Sequence, residues 1–572
     1  MRKKWVVSKD EVDSKQVQDL QDSLSCSKVI AKLLVRKNIY TFQQAQEFFH
    51  PDFKNLHDPY IFNDMEKSVN RIRQAIENKE KIVIFGDYDV DGTTATSLLL
   101  IGLRKLGADV DFYIPNRMIE GYGLSMSGNK AVLRKKAQVV ITVDCGINAV
   151  NEIKDLNQEG VDVIITDHHT PKKVLPDAFA IIDPKLEDSK YPYHDLAGVG
   201  IAFKLILAIY HKYNIDDIEN ISTFFDLVGL GTIADIVPLT GENRILASLG
   251  IKELQERKNL GLSCLLNLAG LKTCKLKSSD IVFKLAPRIN AAGRLGSADR
   301  AVDLMTTTIP EDAQVLAQSV HSENQKRQQI DQKTFLEACD MIELKYQDLD
   351  KTFFIVLATE HWHPGVIGIV ASKIVEKYNR PTILITFAEG EGSGSARSIR
   401  NFNIFECLSE FQEYLKSFGG HKYAAGLTIL PEYIDIFEQK INEYASEKLT
   451  LEDIRPQIHI ANELKLQEID EDLLKWLKLF SPFGPGNMNP IFISKKVMIV
   501  GYPYTVGTNH LKIKTIQNDK TLDLIGFNMG ELSPFLKKGS FVDIVYSLEE
   551  NEWKDIIRIQ GKLKDIRPYV SE

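Results

Sequence analysis

The sequence lacks any run of apolar residues long enough to cross a membrane, which requires about 18 of them. Its first ten residues, Met-Arg-Lys-Lys-Trp-Val-Val-Ser-Lys-Asp, also lack the apolar core of a secretory signal. These two absences argue against a membrane protein and against a secreted one. We therefore expect a protein of the cytoplasm that makes no contact with a membrane.

Cysteine is scarce and scattered. The chain has six cysteines among its 572 residues, and no two of them form a Cys-x-x-Cys pair. This spacing argues against a zinc ribbon and against a disulfide framework. Cys145 directly follows an aspartate, but a small thiol in an apolar segment is expected to pack in the core rather than bind a metal. The cysteines are Cys26, Cys145, Cys264, Cys274, Cys339 and Cys407.

An excess of positive charge is absent as well. The chain carries 70 lysines and arginines against 78 aspartates and glutamates, a net charge of −8. This balance argues against indiscriminate binding of duplex nucleic acid. It does not exclude a nucleic-acid-binding protein in which a local basic groove follows the phosphates. The length exceeds the limit of roughly 250 to 300 residues for one core, so we expect several domains.

A cluster of aspartates follows directly after a predicted strand. Residues 82–86 read Ile-Val-Ile-Phe-Gly, which is typical of a buried strand, and Asp87, Asp89 and Asp91 come next in a glycine-bounded turn before a predicted helix, Ala95 to Leu106. Carboxylates at the carboxyl end of a parallel strand lie where open α/β sheets bind ligands, and their mutual repulsion favours a bound divalent cation. Taken alone, such aspartates are equally typical of plain turn and N-cap residues.

Further acidic segments follow along the chain. Two apolar strands end in Asp144 and in Asp167-His168-His169, and a short apolar segment ends in Asp235. Histidine beside carboxylates suits manganese or zinc better than calcium. A single residue of this kind is usually a structural hydrogen-bonding group. Four acidic strand ends in one stretch favour a shared metal centre instead.

These motifs resemble those of a known superfamily. Asp-Tyr-Asp-Val-Asp-Gly at 87–92, Val-Asp-Cys-Gly at 143–146 and Asp-His-His at 167–169 resemble the signature motifs of the DHH phosphoesterases. Further segments resemble the bacterial RecJ branch, and the resemblance runs in the right order from about residue 80 to about residue 500. They are Leu285-Ala-Pro-Arg-Ile-Asn-Ala-Ala-Gly-Arg-Leu-Gly, His361-Trp-His-Pro-Gly-Val-Ile-Gly-Ile-Val-Ala-Ser, Gly394-Ser-Ala-Arg-Ser, Phe418-Gly-Gly-His-Lys-Tyr-Ala-Ala-Gly and Pro482-Phe-Gly-Pro-Gly-Asn.

The resemblance implies a 5′→3′ exonuclease specific for single-stranded DNA, which releases 5′-mononucleotides in DNA repair and recombination. Hydrolysis of a phosphodiester needs a hydroxide nucleophile, neutralisation of the phosphoryl oxygens and help for the leaving oxygen. Two metal ions roughly 3.5 to 4 Å apart supply all three. We therefore expect two Mn2+ or Mg2+ ions and at least one carboxylate that bridges them.

The resemblance also implies which residues hold these ions. Asp89 and Asp144 would hold one ion. Asp91, Asp144, His168 and Asp235 would hold the other, so that Asp144 is the bridge.

Other motif positions are implied to support these ligands. Asp87 and Asp167 match positions that orient ligands, and His169 either does the same or contacts the scissile phosphate. Some DHH phosphatases carry a further metal-binding histidine four residues before the position of Asp89, and this chain has Phe85 there. One of the two ions is therefore expected to bind weakly.

The direction of digestion requires a pocket for the terminal phosphate. Arg117, Ser395 and Arg397 resemble the family's 5′-phosphate anchor, and the planar fork of arginine pairs with phosphate oxygens bidentately. The plain alternative for Arg117 is a charge on a surface loop. The other residues expected to contact DNA are Arg288, Asn290, Arg294, His363, Gly420 and His421.

Pattern and resemblance together predict an α/β protein of several domains. Alternating strand and helix patterns predict a parallel sheet, a segment without Gly or Pro after its start predicts one long helix, and alternating apolar residues near the end predict a small barrel. We expect a helical cap on the catalytic domain (1–75), a DHH catalytic domain with a parallel sheet (76–309), a linking helix (310–346), a DHH-associated α/β domain (347–450) and a nucleic-acid-binding OB-fold β-barrel (451–572).

The resemblance implies single-stranded DNA as substrate, a helicase and a single-strand-binding protein as partners, and a monomer. Two alternatives stay open. A DHH phosphoesterase acting on short oligonucleotides or cyclic dinucleotides would share the early motifs, but such relatives are shorter. A non-catalytic replication scaffold of the same fold would have no need of a repulsive carboxylate cluster.

Overall fold

The computed structural model describes residues 3–8, 13–117, 119–272, 275–388, 390–553 and 556–570. The chain divides into two compact units, one formed by Leu56–Arg455 and the other by Met1–Asn55 together with Pro456–Glu572. Within the described ranges, no helix is both long and apolar enough to cross a membrane.

A five-stranded parallel sheet lies in the amino-terminal half of the first unit, as predicted. Its three central strands are almost entirely apolar and buried, which is typical of a parallel sheet covered on both faces. The acidic motifs at 87–91, 144 and 167–169 each follow one of these central strands at its carboxyl end. In spatial order, the strands are Val110–Tyr113, Ile82–Gly86, Val139–Val143, Asp162–Thr166 and Ala180–Ile182.

Asp235 does not follow a strand, and this corrects the expectation of four acidic strand ends. It directly follows a buried helix, Phe225–Ala234. Gly229 of this helix packs on Gly250, so closely that a Cβ at Gly229 would lie 2.4 Å from the Gly250 Cα. A short apolar run does not distinguish a buried strand from a buried helix, and here the close helix packing decides it.

The other helices of this region precede, alternate with or follow the strands of the sheet along the chain. Cys145 is fully buried in the apolar core, as expected, and Cys274 lies outside the described residues. The helices are Met65–Asn78, Val90–Lys105, Met126–Arg134, Val150–Gln158, Gly198–Lys212, Ile218–Ser222, Gly241–Glu256, Leu260–Leu268, Ser278–Asp280 with the π-helix Ile281–Leu285, Ala286–Leu295 and Asp299–Thr306.

The predicted linking helix is present as a single 36-residue helix, Pro310–Lys345. It leads into a second five-stranded sheet, in which only one of the strand pairs is parallel. The helices of this region are Pro364–Tyr378, Ile404–Glu410 and Ile434–Lys448. In spatial order, the strands are Leu415–His421, Ala424–Ile429, Glu391–Arg397, Thr382–Ala388 and Ile355–Thr359.

A small closed barrel forms the main part of the second unit, as predicted. It closes because Phe492–Val506 pairs with both His510–Gln517 and Phe541–Trp553. The strands of this sheet are Asn462–Glu463, Phe492–Val506, His510–Gln517, Lys520–Gly526, Ile556–Pro568 and Phe541–Trp553, and a separate parallel pair is formed by Lys4–Val7 and Gln457–Ile460.

The amino-terminal helices differ from the expectation of a cap on the catalytic domain. The helices Ser14–Leu24, Lys28–Val35 and Phe42–Phe49 share one apolar core with the barrel and with the helix Glu471–Leu479. The rings of Phe49 and Phe480, for example, lie 5.4 Å apart. Only the last part of the predicted 1–75 segment, including the start of the helix at Met65, belongs to the unit that contains the catalytic sheet.

Candidate metal centre and phosphate site

The first acidic turn is built around the start of a helix. The helix begins at Val90, earlier than the sequence pattern predicts, because the Asp89 carboxylate accepts the Gly92 N–H at 3.0 Å and caps its first turn. Gly92 packs against Asp87, and a Cβ at this glycine would lie 2.5 Å from the Asp87 carbonyl oxygen. The turn therefore holds three carboxylates within five residues at the edge of the sheet.

Asp91 is fixed by a second helix. Its two carboxylate oxygens accept the backbone N–H groups of Gly198 and Val199 at 2.7 and 2.8 Å, in the first turn of the helix Gly198–Lys212. A helix amino terminus favours a negative charge through its unpaired N–H groups and its dipole. The Asp91 side chain is thus buried with its orientation defined.

Asp144 is held by its backbone. Its φ of 59° lies in the left-handed region, which aspartate tolerates better than most residues. The Asp144 N–H donates to the Thr166 carbonyl at 3.0 Å, and the Tyr122 hydroxyl donates to the Asp144 carbonyl at 2.9 Å. Gly198 leaves room for the carboxylate, since a Cβ there would lie 2.8 Å from the Asp144 Cβ.

His168 turns one ring nitrogen towards the carboxylates. Its Nε2 lies 3.0 Å from Asp144 Oδ1, 3.8 Å from Asp235 Oδ2 and 4.0 Å from Asp91 Oδ2. Its Nδ1 lies 3.1 Å from the Leu196 carbonyl, which accepts the Nδ1 proton. Burial lowers the pKa of His168 to about 3, so the ring is neutral. A neutral imidazole whose Nε2 lone pair faces carboxylates is arranged as a metal ligand.

Both carboxylate oxygens of Asp167 already accept hydrogen bonds from nearby backbone and from His169. Its Oδ1 accepts the N–H groups of His168 and His169 at 2.7 and 3.1 Å and lies 2.7 Å from His169 Nδ1. Its Oδ2 accepts the Ile147 N–H at 3.0 Å. Although burial opposes ionisation, the hydrogen bond from His169 keeps the pKa of Asp167 below its ordinary value. Asp167 therefore orients the two histidines, which is the kind of role the resemblance implies for it.

The remaining carboxylates have the opposite electrostatics. Burial, followed by repulsion from neighbouring aspartates, raises the pKa of Asp87, Asp144 and Asp235 well above the ordinary value and that of Asp91 to about 7. The Oδ1 atoms of Asp87 and Asp144 are buried without a hydrogen-bond partner. Buried carboxylates in this state hold protons or bind cations, and the repulsion between them disappears when divalent ions are bound.

The ligand atoms of this cluster form three overlapping groups, and within each group they lie within 4.8 Å of one another. Asp144 and His168 each belong to two groups, so one carboxylate and one imidazole lie between neighbouring positions for a cation. A mixed set of carboxylate oxygens and imidazole nitrogen fits Mn2+ and Mg2+. The groups are Asp87, Asp89 and Asp144; Asp91, His168 and Asp235; and Asp144, His168 and His169.

Phe85 contributes no ligand. Its side chain is fully buried, and its ring packs against Tyr113 with the centroids 5.4 Å apart. The position at which some DHH phosphatases have a histidine is therefore part of the apolar core in this chain.

A second cluster, of four arginines, lies beside the acidic turn. Tyr88, between Asp87 and Asp89 in the sequence, carries the Arg117 guanidinium 4.9 Å above its ring centre. Burial lowers the pKa of Arg294 to about 9, and the positive charges of Arg117, Arg327 and Arg397 add to this effect. We call Arg117, Arg294, Arg327 and Arg397 the arginine cluster.

Three members of the arginine cluster have no balancing carboxylate. In the part of the chain that the structure describes, Arg117, Arg294 and Arg397 form no ion pair. Arg294 donates to the Gly365 carbonyl at 3.0 Å, and Arg397 donates to Ser395 Oγ at 3.2 Å. Half-buried guanidinium groups that repel one another and form no ion pair suit an anion with several oxygens, such as a phosphate.

Glycine makes room for this anion site. A Cβ at Gly368, in the helix Pro364–Tyr378, would lie 2.9 Å from Ser395 Oγ and 3.0 Å from the Arg397 guanidinium. Any side chain there would displace the two groups that the resemblance assigns to the terminal phosphate.

The other predicted contact residues are distributed around these clusters. Arg288 donates to His321 Nδ1 at 3.2 Å; burial lowers the pKa of Arg288, and the charge of Arg327 adds a smaller effect in the same direction. His363 caps a helix by accepting the Gly365 N–H at 3.0 Å, which is a structural role. Asn290 is half-buried on the helix that carries Arg288.

The Gly-Gly-His segment lies at an exposed edge strand, Leu415–His421. Gly420 has a φ of 147°, and a Cβ there would lie 2.4 Å from the Ala424 carbonyl, so only glycine fits. Burial lowers the pKa of His421, and so do the charges of His169 and Lys185. His421 therefore lies near enough to His169 for the two charges to interact, and its contact with DNA stays a prediction.

Sequence reasoning missed two charged residues. Arg327 lies in the long helix, whose buried stripe reads Asn324, Arg327, Asp331 and Thr334 between alanines at regular spacing, and this polar interruption of an apolar stripe is a detectable signal. Lys185 follows the strand Ala180–Ile182, and its charge affects both histidines of the motif. Lys185 could have been found because it follows a strand, as the acidic motifs do.

Comparisons with known proteins agree with this arrangement. The chain matches the DHH family, N-terminal domain, over residues 81–232, the DHHA1 domain over 351–447 and the RecJ OB domain over 460–565. It is 39% identical to the single-stranded-DNA-specific exonuclease RecJ of Bacillus subtilis (strain 168), over 98% of this chain and 70% of that relative.

Two solved structures have the same fold. The crystal structure of RecJ from Thermus thermophilus in complex with Mn2+ superposes with a TM-score of 0.84 at 27% identity and covers 99% of this chain and 80% of that one. The Mg2+ complex of the same protein gives a TM-score of 0.78 at 25% identity, over 99% and 79% of the two chains.

Proposed function

Because the chain belongs to the RecJ family of DHH exonucleases, we propose that it degrades single-stranded DNA from the 5′ end by metal-dependent hydrolysis and releases 5′-mononucleotides. The observation that carries this proposal is the adjacency of the carboxylate cluster and the arginine cluster, which meet at Tyr88. A terminal phosphate bound by the arginines places the next phosphodiester beside the carboxylates.

The carboxylate cluster would hold two Mn2+ or Mg2+ ions. Asp89 and Asp144 would hold one ion, and Asp144 with Asp91, His168 and Asp235 would hold the other, because Asp144 belongs to the ligand group of Asp89 and lies 3.0 Å from His168 of the other group. The buried unpaired oxygen of Asp87 supports a direct ligand role for this residue, in addition to the ligands implied by the resemblance. When bound, such a pair of ions supplies a hydroxide nucleophile and neutralises charge on the phosphoryl group.

The protein's own groups position the substrate. Arg117 and Arg397 with Ser395 bind the 5′-phosphate, and Arg294 adds a third positive charge. His169, held by Asp167 and beside Tyr122, faces the scissile phosphate together with His421. Anchoring the 5′-phosphate beside the cutting site fixes the product length at one nucleotide, because both phosphates of the terminal nucleotide are bound at once.

A direct test compares substrates. We expect Mn2+-dependent release of labelled mononucleotide from a 5′-labelled single strand, no attack on a blunt duplex, and much slower hydrolysis of linear or cyclic dinucleotides. The reason is that a long strand offers enough nucleotides for an OB-fold barrel to bind as well, while a dinucleotide does not. A preference for dinucleotides would favour the oligonucleotide phosphoesterase alternative, and no hydrolysis of any substrate would favour the scaffold.

Selectivity for single strands should reside in the first unit. The shared core of residues 1–55 and 456–572 means that removing the barrel alone would expose the amino-terminal helices, so the informative variant is residues 56–455. We expect this variant to bind single strands more weakly and to digest them less processively, with its strand preference and direction unchanged. Digestion of single-stranded and blunt duplex DNA by the two forms measures this.

The aromatic residues of the barrel help to interpret that experiment. Phe492 is completely buried, whereas Tyr502 is 82% exposed and Phe527 is 44% exposed. The ammonium group of Lys562 lies 4.9 Å from the Phe527 ring centre. Tyr502 and Phe527 are thus available to stack on bases, and Phe492 is not. Comparable attack on blunt duplex by residues 56–455 would place the selectivity in the barrel instead.

We further propose that the enzyme acts as a cytoplasmic monomer with a helicase and a single-strand-binding protein as partners. An exonuclease that accepts only single strands depends on another activity to open duplex DNA, and the strand that is exposed is the ligand of single-strand-binding proteins. Size-exclusion chromatography with light scattering, and digestion of duplex DNA with and without a helicase, test these points.

A further inference from the structure

The loop that carries Arg117 is joined to the metal centre at two points. It connects the strand Val110–Tyr113 to the helix Met126–Arg134. At the first point, the Arg117 guanidinium lies over the ring of Tyr88 in the acidic turn. At the second, the Tyr122 hydroxyl donates to the Asp144 carbonyl at 2.9 Å. One short segment therefore contacts both the phosphate site and the bridging carboxylate.

Two glycines in the left-handed region place Tyr122 in a turn of the loop. Gly121 and Gly123, on either side of it, have φ values of 81° and 74°, which glycine adopts without strain. The Tyr122 side chain is 51% exposed, so its position is set by this turn and by its hydrogen bonds rather than by core packing. Its hydroxyl also lies 3.1 Å from His169 Nδ1.

The same loop has an internal anchor at Glu120. The Glu120 carboxylate accepts from the Tyr113 hydroxyl at 2.9 Å, from the Asn116 N–H at 2.8 Å and from the hydroxyls of Ser125 and Ser127 at 2.9 Å. These bonds hold the loop to itself and to its flanking elements. They do not involve Asp144, so the loop fold and the contact to Asp144 can be separated experimentally.

Asp144 depends on this contact because of its backbone conformation. At a φ of 59°, Asp144 lies in the left-handed region, which is strained for an L-residue and must be stabilised by the surroundings. The Thr166 carbonyl holds the Asp144 N–H, and the Tyr122 hydroxyl holds the Asp144 carbonyl. The Tyr122 bond thus restrains the peptide that follows Asp144, and with it the backbone from which the Asp144 carboxylate projects.

We infer that Tyr122 is a positioning residue that couples the binding of a 5′-phosphate at the arginine cluster to the orientation of Asp144. This inference rests on the proposed role of Arg117 as the phosphate anchor. A phosphate that fixes Arg117 also fixes the loop, and the loop fixes Asp144 through the Tyr122 hydroxyl. The 5′-phosphate therefore contributes to turnover as well as to binding.

The test removes only the hydroxyl. For Tyr122→Phe, we expect kcat on a 5′-phosphorylated single strand to fall about tenfold while KM changes less than about twofold, because the contact orients a ligand and does not bind DNA. On the matching 5′-hydroxyl strand, kcat should fall much less. The preference for the phosphorylated end, measured as the ratio of the two kcat values, should shrink accordingly.

Tyr113→Phe is the matched control. It removes a tyrosine hydroxyl at the end of the flanking strand, where that hydroxyl contacts Glu120 of the loop, and it leaves the bond to Asp144 in place. We expect Tyr113→Phe to have the same ratio of kcat on the 5′-phosphorylated strand to kcat on the 5′-hydroxyl strand as the wild-type enzyme. Gly123→Ala is a second variant that keeps the Tyr122 hydroxyl but displaces it, since alanine is strained at a φ of 74°. It should lower the ratio as Tyr122→Phe does.

The outcomes separate this inference from the proposed function. If Tyr122→Phe slows both substrates equally, or if Tyr113→Phe lowers the ratio as much, the coupling is wrong although Arg117 can still be the anchor. If the wild-type enzyme digests both ends with the same kcat, the coupling is wrong and single-strand exonuclease activity is unaffected. Thermal unfolding of each variant shows whether a lost activity reflects a lost fold.

Discussion

Asp144→Ala is expected to lower hydrolysis of single-stranded DNA by on the order of 10³-fold or more. Asp144 belongs to the ligand group of Asp87 and Asp89, and its Oδ1 lies 3.0 Å from the Nε2 atom of His168, which belongs to the group of Asp91 and Asp235. Its loss would therefore affect both ions, whereas the loss of a ligand from one group would affect one. Single-strand binding should largely survive, because the arginine cluster and the barrel remain.

Asp226→Asn is a suitable control for this experiment. Asp226 is also a buried aspartate of the catalytic domain, and burial raises its pKa to about 7, but it belongs to none of the three ligand groups. We expect Asp226→Asn to keep its activity. Rates are measured with saturating Mn2+, and binding is measured by fluorescence anisotropy with a labelled strand. An Asp144→Ala enzyme that keeps activity within tenfold of wild type would disprove the bridging role.

Arg117→Ala and Arg397→Ala are expected to lower kcat/KM on a 5′-phosphorylated strand by roughly 10- to 100-fold, which corresponds to about 1.5–3 kcal/mol for a hydrogen bond to a charged group. On a 5′-hydroxyl strand, the loss should be no more than a few-fold, because these charge-assisted bonds are not made there. The contrast between the two strands is the measurement.

Arg134→Ala is the control for the arginine variants. Arg134 is an exposed arginine of the same domain, at the end of the helix Met126–Arg134, and it lies outside the arginine cluster. Its removal changes net charge by the same amount and should leave both substrates unaffected. If Arg117→Ala lowers kcat/KM equally on the two strands, this arginine stabilises the fold, for example through its contact with Tyr88, and does not bind the 5′-phosphate.

Much of the catalytic domain could be predicted from local patterns. The strands before Asp87, Asp144 and Asp167 are short apolar runs bounded by glycine or acidic residues, and their parallel order brings the acidic ends together at one edge. The long helix was also predictable, because 36 residues without an internal glycine or proline have few other conformations. The strands and the long helix can both be recognised from residues that are close together in the sequence.

Other features depend on contacts between distant residues, and local patterns did not predict them. Asp235 follows a helix because Gly229 meets Gly250, a contact that the apolar run around Asp235 does not reveal. Arg327 joins Arg294 only after the long helix has packed against the catalytic domain. The position of Tyr122 depends on two glycines, whose φ values the sequence permits but does not specify.

The amino-terminal helices show the same limit most clearly. Their amphipathic pattern predicts that one face of each helix is buried against another part of the protein. That part is the barrel, which lies more than 400 residues later in the chain. An amphipathic pattern identifies which face of a helix is buried and carries no information about the partner.

This arrangement has a consequence for the order of events during synthesis. At about 5–20 residues per second, the ribosome needs roughly 20 to 80 s to make the residues that separate the amino-terminal helices from their partner. During that interval, the helices that carry Val17, Leu20 and Phe49 can pack only on one another and lack the barrel, while the catalytic unit can already complete its own cores. These helices are thus made before the catalytic unit and complete their core only after it, when the barrel follows. A chaperone that binds short amphipathic helices would find its target there, on nascent chains whose catalytic unit is already native.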